Sequence, residues 1–483
     1  MHAESPVPVP GDARRRERRR RLIVALLVGM AFMMEQLDGT ILAAAMPQIA
    51  QSFAIPPIEV NLAIIAYVIA IGVFMPLSGW LADRLGSRQV FCWALGIFTL
   101  GSAACGLANS FSMLLAMRVL QGIGGALMTP VGRLILLRCF PRHELVRAMS
   151  YMNIPTMVGP TLGPVVGGLI ATYVSWRWIF FVNIPIGVLA IALALWQMPA
   201  SRGVRGAPFD YTGFMLFGAG LALLQAAIEL VGHPLGSSAI TMTSFGTAAI
   251  LLCSYVRHFR RANQPIINLD LLSIRSFRTG VLSGGLSRIG INGIPYLLPL
   301  LLQIGLGRSA VESGVLTAFA SVGMVMVRPY AAYLLRRYGF SGLLTMNAVL
   351  GAVSIAAFAG LETDSPDSLL LLLILAFSMM RGLHFTTINT LNYADMPAEQ
   401  LSAATSFGGV AQQVAMGIGI SVSAALLAHN ARDSTHLVAS DFPPVFLGLA
   451  LIVLASAYGF ARLHHHVGAR VIGGSTPDKT IDG

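Results

Sequence analysis

Glu35 and Asp38 are two acids in an apolar stretch near the start of the chain, and Arg118 is a base inside another. A charge in an apolar helix is expensive and needs a partner. Asp38 stands about eight residues before the outer end of its stretch, and Arg118 about six residues inside its own. At roughly 1.5 Å per residue they lie about 12 and 9 Å below the same surface, so they can meet. A buried acid beside a buried Arg can titrate or exchange partners, which would link a proton to movement. A static structural ion pair satisfies the same spacing. Glu35 is one turn before Asp38 and shares its helix face. Two nearby carboxylates disfavour double ionisation, which suits proton carriage. The alternative is that Glu35 neutralises a nearby Arg.

Three further patterns bear on movement. In Gly79-Trp80-Leu81-Ala82-Asp83-Arg84-Leu85-Gly86-Ser87-Arg88, two glycines permit a tight connection. Asp83 can sit near the positive end of the next helix, and Arg84 and Arg88 can pair with acids or helix C-termini of another bundle. A plain basic turn is the simpler reading. Arg118-Val119-Leu120-Gln121-Gly122-Ile123-Gly124-Gly125 places Gln121 one turn from the buried Arg. In Gly159-Pro160-Thr161-Leu162-Gly163-Pro164-Val165-Val166-Gly167-Gly168, Gly159, Gly163 and Gly167 form a stripe that admits another helix. Pro160 and Pro164 remove backbone donors and should bend the helix. Ordinary small-residue packing accounts for the glycines but not for the doubled Gly-Pro.

Later in the chain, Arg288, Arg328 and Arg381 stand in apolar stretches, with His384 one turn after Arg381. Intramembrane charges usually face a cavity and mark a pathway. With few acids nearby, that cavity would be net positive unless Glu35 and Asp38 compensate across the bundles, and these four residues and Gln121 are the candidates for substrate binding. Snorkelling could carry Arg133 and Arg328 toward the inner surface. A membrane enzyme is the competing class. No HExxH or GxSxG occurs, and His143-Glu144 lacks a second His at the required spacing. No metal site is expected, because the four Cys form no CxxC pair and His464 to His466 read as a solvated tail.

The elements that must position these residues are membrane helices. Only 11% of the 483 residues are charged and 55% are hydrophobic, whereas soluble domains carry roughly 25% charge. Apolar spans are expected near 22–46, 57–78, 89–108, 112–137, 146–171, 178–198, 210–229, 238–259, 277–304, 310–335, 341–360, 368–392, 401–428 and 443–463. The first is too long for a signal h-region and contains acids, so it is read as retained. Of 32 Lys and Arg, five lie within spans and Arg177, Arg308 and Arg432 in outward loops, which leaves 24 in inward segments. That is the positive-inside pattern, with both termini cytoplasmic. It also accounts for the net charge of +11 without nucleic acid.

These motifs, in this order, resemble the major facilitator superfamily in its fourteen-span drug:proton antiporter branch (EmrB/QacA-like), nearest to the MdtD type. The resemblance covers about residues 22–463. Its opening motif is Leu37 to Pro47, with Ala43 where Asn is usual. Its loop motif is Gly79 to Arg88, with Ser87 where a base is usual. Its span-4 and antiporter motifs are Arg118 to Gly125 and Gly159 to Gly168, and Arg288 to Gly307 matches a stretch of the second half.

The resemblance implies an all-α fold of two six-helix bundles plus two inserted helices. The divisions are a basic cytoplasmic tail (1–21), the first bundle (22–198), an inserted pair with linker (199–276), the second bundle (277–463) and a cytoplasmic tail (464–483). Motif density is low in the inserted pair, which suggests a peripheral position. The resemblance further implies substrate between the bundles, alternating access and export across the inner membrane. Asp38, Arg118 and Glu35 would serve proton coupling. Gly79, Asp83, Arg84, Gly86 and Arg88 would form a latch, and Gly159, Pro160, Gly163, Pro164, Gly167 and Gly168 a hinge. The partners are a small molecule (drugs or toxic metabolites, or organic anions such as carboxylates or their metal complexes), protons and lipid. No cofactor is needed beyond a proton gradient, and the sequence requires no periplasmic adaptor.

Overall fold

The computed structural model describes residues 11–140, 145–199, 208–231, 238–262, 265–397, 400–431 and 437–463. His143-Glu144, Arg432 and the tract His464 to His466 lie outside them. Regular structure among the described residues is helical throughout. The first part of the chain forms α1 (Gly11–Ala44), α2 (Met46–Phe53), α3 (Asn61–Phe74), α4 (Leu77–Leu85), α5 (Ser87–Gly106), α6 (Phe111–Cys139), α7 (Leu145–Tyr173), α8 (Trp178–Phe181) and α9 (Asn183–Gln197). Then come α10 (Tyr211–Glu229) and α11 (Ser238–Phe259). The last part forms α12 (Arg275–Leu300), α13 (Ala310–Met326), α14 (Arg328–Ala357), α15 (Asp367–Ala394), α16 (Leu401–Asn430) and α17 (Pro443–Ala461).

Helix ends follow local chemistry. Ser110 caps α6 by accepting from the Met113 amide, and Asp210 caps α10 by accepting from the Gly213 amide. Ser309 and Glu312 form a reciprocal capping box at the start of α13. The break between α4 and α5 falls at Gly86, whose φ of 91° an L side chain would resist. Gly339 repeats the device in the second half, with φ 66° and ψ 175° inside α14. The sequence placed spans at 310–335 and 341–360. The backbone break at Gly339 falls between those two spans, while α13 ends at Met326 and α14 starts at Arg328. Val327 between them keeps helical angles, so the chain stays helical up to that glycine.

Twelve of the described helical segments are long and apolar enough to cross a membrane. Beside them stand α7, which carries Pro155, Pro160 and Pro164, and α13, apolar but only 17 residues long. The packing repeats. Helix α1 packs on α6, α7 and α9; α3 packs on α6; and α5 packs on α6 and α9. In the second half α12 packs on α15, α16 and α17; α13 packs on α15; and α14 packs on α15 and α17. The cross-pairings, α7 with α13 and α3 with α16, exchange places under the same correspondence. The expectation of a peripheral inserted pair fits α11, of whose apolar window only 11% is buried. Helix α10 differs, because it packs on α3 and α16 as well as on α11.

Candidate functional site

The structure brings Asp38 and Arg118 together as a buried ion pair, with relative exposures of 1% and 0%. The Arg118 Nη1 donates to Asp38 and also to the Gln121 side-chain oxygen at 2.7 Å. Its Nε donates to the Ala63 carbonyl at 2.9 Å, and its guanidinium carbon lies 4.3 Å from the centre of the Tyr67 ring. The other Asp38 oxygen accepts from the Gln121 amide at 2.7 Å and from the Asn183 amide at 3.2 Å. Asn183 also donates to Ser102 at 3.0 Å, which donates to the Phe180 carbonyl at 2.9 Å. Four helices therefore converge on one ion pair: α1 supplies the acid, α6 the base, α3 a carbonyl and a ring on the base, and α9 an amide on the acid. Close helix approach makes this possible, since a Cβ at Gly122 would stand 2.6 Å from the Tyr67 carbonyl oxygen.

Energetically, the pair is tolerable only because each charge is also hydrogen-bonded. Removing one partner of such a buried pair costs about 3–5 kcal/mol, because the other charge is left uncompensated. A group held this way can change protonation only if its partners rearrange. Gln121, expected among the substrate contacts, instead bridges acid and base with both ends of its amide.

Glu35 is not part of that cluster. It accepts from the Thr129 hydroxyl of α6 at 2.6 Å, and no ion pair reaches it among the described residues. One turn separates the two acids, yet they meet different partners on α6.

The expected latch residues bind close to home. Asp83 pairs with Arg138 at the end of α6, at 2.8 Å and in an exposed position. Arg84 lies over the Trp80 ring at 5.1 Å, and Arg88 donates to the Met198 carbonyl at the C-terminus of α9 at 3.3 Å. These partners lie among the first nine helices, although the sequence suggested acids or helix ends of another bundle. Gly86 makes the turn, whereas Gly79 sits within α4 with open space beside it.

The glycine stripe of α7 docks the helix that carries the acids. A Cβ at Gly159 would stand 2.7 Å from the Met33 carbonyl oxygen, one at Gly163 would meet Thr40, and one at Gly167 would stand 2.8 Å from the Ile41 carbonyl oxygen. All three neighbours belong to α1. On another face, Gly168 meets Ala310 and the Pro164 carbonyl meets Gly314, both on α13. Helix α7 is thus wedged between the acid-bearing helix and the second set of helices. Pro160 and Pro164, where the sequence predicts a bend, both lie inside α7. Tight packing on two sides holds the helix.

In the second half, Arg288 is 1% exposed and donates to the Asn389 side chain at 2.9 Å. Its guanidinium carbon lies 5.3 Å from the Phe385 ring centre, and that of Arg381 lies 5.8 Å from the same ring. The Nε atoms of both are buried without a partner, and no acid pairs with either among the described residues. Arg328 is exposed at the start of α14. His384 is fully buried, with one ring nitrogen on Ser287 and the other 3.1 Å from the Asn347 side-chain oxygen. Both ring nitrogens are used, so His384 supports the packing of α12, α14 and α15 rather than facing a ligand.

Sequence reasoning missed Asn183, Tyr67, Ser102 and Thr129, and also Asn61, whose side chain donates to Glu229 at 3.0 Å. Polar residues inside apolar stretches were the available signal for Asn183 and Asn61. Tyr67 and Ser102 carry none, because both residue types are common in membrane helices.

The whole-chain comparisons agree with this architecture. The family model described as Major Facilitator Superfamily matches residues 21–420. The chain is 35% identical to the candidate multidrug resistance protein MdtD of Cronobacter sakazakii, covering 90% of this chain and 93% of that one. It is 34% identical to the candidate transport protein HsrA of Haemophilus influenzae, over 92% and 96%. Among solved structures, a D-xylose–proton symporter superposes with a TM-score of 0.66 at 15% identity, over 93% of this chain and 98% of that one. An auto-inhibited POT-family peptide transporter gives 0.67 at 16%, over 92% and 97%. The two structural likenesses bear on the fold alone. The chain is a multi-pass membrane transporter and belongs to the Major Facilitator Superfamily.

Proposed function

We propose that this transporter is a proton-coupled antiporter that exports small molecules, drugs or toxic metabolites, across the cytoplasmic membrane by alternating access. The observation that carries the reading is the buried Asp38–Arg118 pair, closed by Gln121 and Asn183. A carboxylate that binds a proton must release Arg118, and Arg118 holds α3 through Ala63. Protonation is thereby tied to helix position. One charge crossing the membrane is worth about 2.3 kcal/mol per 100 mV, so one or two protons can drive substantial accumulation.

In this reading the chain has fourteen spans, with α7 and α13 completing the twelve. Residues 22–198 and 277–463 are the moving bundles, and 199–276 is the insertion between them. The repeated packing of α1 to α9 in α12 to α17 supports that division. Both termini are cytoplasmic. Asp83, Arg84 and Arg88 act as the latch, and α7 moves with α1 against α13. The names of the MdtD relatives favour drugs as cargo.

One observation favours a narrower cargo. Arg288 and Arg381 flank Phe385 without an acid partner. Two unpaired guanidinium groups beside an aromatic ring suit an organic anion such as a carboxylate, with the ring taking its apolar part. The test is purified protein in proteoliposomes with an internal pH-sensitive dye, under an imposed proton gradient. Proton movement on adding small carboxylates supports the anion reading, and movement on adding lipophilic cations supports the drug reading. No proton movement with either panel overturns antiport.

A further inference from the structure

Glu229 ends α10 at the seam where α3 meets α16. Helix α10 packs on both. One turn earlier, Gln225 donates to the Val414 carbonyl of α16 at 3.3 Å and lies against Gly417. On the other side, the Asn61 amide donates to Glu229 at 3.0 Å from the first residue of α3. The second Glu229 oxygen is buried without a partner. Ser421 of α16 lies within hydrogen-bonding reach of Glu229, Tyr296 of α12 is in its electrostatic reach, and neither hydroxyl makes a well-formed hydrogen bond among the described residues. Tyr296 is the titratable side chain in electrostatic reach of it, and no ion pair reaches Glu229 among the described residues. An ionisable group buried at the end of a membrane helix with spare bonding capacity is a candidate functional site.

The bond to Asn61 gives that site an outlet. Two residues along the same turn, the Ala63 carbonyl accepts from Arg118 at 2.9 Å, and a turn later the Tyr67 ring lies on the Arg118 guanidinium. The start of α3 is thus clamped from one side by Glu229 and from the other by the Asp38–Arg118 pair. Parting of α3 from α16 would wet Glu229, and a change between dry and wet surroundings changes which protonation state is favoured. Losing the Asn61 bond would then free the first turn of α3, and with it two of the contacts that hold Arg118.

We propose that Glu229 is a second proton-exchanging carboxylate, linked to Asp38 through the first turns of α3, and that the inserted α10 belongs to the coupling machinery. The proposal extends the antiport reading, but its test needs no transport. Dicyclohexylcarbodiimide adds to protonated carboxyl groups in apolar surroundings. The adduct on Glu229 is quantified by mass spectrometry across a pH series, using the purified full chain. Modification is expected to fall along a titration as pH rises. Asp38→Asn is expected to move its midpoint by about one pH unit or more, a tenfold change in proton affinity. In an Asn61→Leu background the same Asp38→Asn substitution is expected to leave the midpoint in place, because the link is cut. An identical midpoint in wild type and Asp38→Asn overturns the proposal. So does a Glu229 that stays unmodified at every pH in folded protein yet reacts once denatured. If Asp38→Asn does not fold, reciprocity of the two proton affinities supplies the reverse measurement: the pH midpoint of carbodiimide modification at Asp38 in Glu229→Gln compared with wild type, where an unchanged midpoint overturns the link. Failure of the wild type to move protons removes antiport alone and leaves a midpoint shift standing as coupling between two sites.

Discussion

Gly163 of α7 lies directly on Thr40 of α1, so that a Cβ at position 163 would meet the Thr40 hydroxyl. That hydroxyl is held in place by donating to the Gln36 and Leu37 carbonyls, at 3.0 and 3.1 Å. Thr40 is two residues from Asp38, so the contact fixes the helix that presents the acid. Gly163→Ala is therefore expected to lower stability by about 1–3 kcal/mol, the usual cost of overpacking. Thr40→Ala removes the oxygen in the way and is expected to recover part of the loss, with a coupling of about 0.5–3 kcal/mol in a double-mutant cycle. Thermal unfolding in detergent reads both. Strict additivity of the two substitutions would show that the helices do not meet there.

Asp38→Asn keeps the shape of the acid and removes its charge. The Gln121 and Asn183 amides lose an anionic acceptor, and Arg118 is left with a carbonyl, an amide oxygen and a ring. Proton-driven transport is expected to vanish while the protein still inserts and elutes as a single species. Arg118→Lys is expected to behave similarly, since an ammonium cannot reproduce a planar group that serves Asp38, Gln121 and Ala63 at once. Normal transport by Asp38→Asn under a proton gradient would transfer the carrier role to Glu35 or another acid.

The two unpaired arginines can be separated from the coupling pair. Arg288→Ala with Arg381→Ala is expected to lower carboxylate transport at least about tenfold, the effect of losing one charge-assisted contact of about 1.5–3 kcal/mol. Export of lipophilic cations is expected to persist. Equal loss of both cargoes would make the arginines structural, and equal retention would place the anion elsewhere.

How much of this was legible in the sequence depended on what each signal measures. Apolarity placed twelve of the expected spans, because lipid excludes unpaired charge wherever the helix goes. Depth arithmetic along two helices put Asp38 and Arg118 at one level, and the structure joins them. The same arithmetic said nothing about azimuth. Glu35 and Asp38 therefore looked like one acidic pair, yet they bind Thr129 and Arg118 respectively. Direction also decided His384 and Gln121, whose polar atoms are consumed by neighbouring side chains. Motif density misled about α10: its small residues are the means by which it packs, with Gly218 against Val73 of α3. The doubled Gly-Pro of α7 suggested a bend, and the structure places those prolines inside one helix that is packed on two sides.

The Asp83–Arg138 pair offers a way to separate stability from mechanism. Its side chains are 59% and 43% exposed, and a pair so open to water contributes about 0–1 kcal/mol. Asp83→Asn should leave the unfolding midpoint almost unchanged. The same loop nevertheless ties three helices together at one end of the molecule, because Arg138 closes α6 and Arg88 holds the end of α9. A latch acts on the balance between two conformations, and a shift of about 1.4 kcal/mol in that balance changes a population ratio tenfold. Asp83→Asn is therefore expected to slow transport severalfold at constant stability. Arg138→Gln is expected to do the same, and the double substitution to do no more than either alone. Transport and unfolding measured on one preparation decide it. A proportional loss of both would reduce the pair to a surface ion bridge, whereas slower transport without loss of stability assigns it to the conformational cycle.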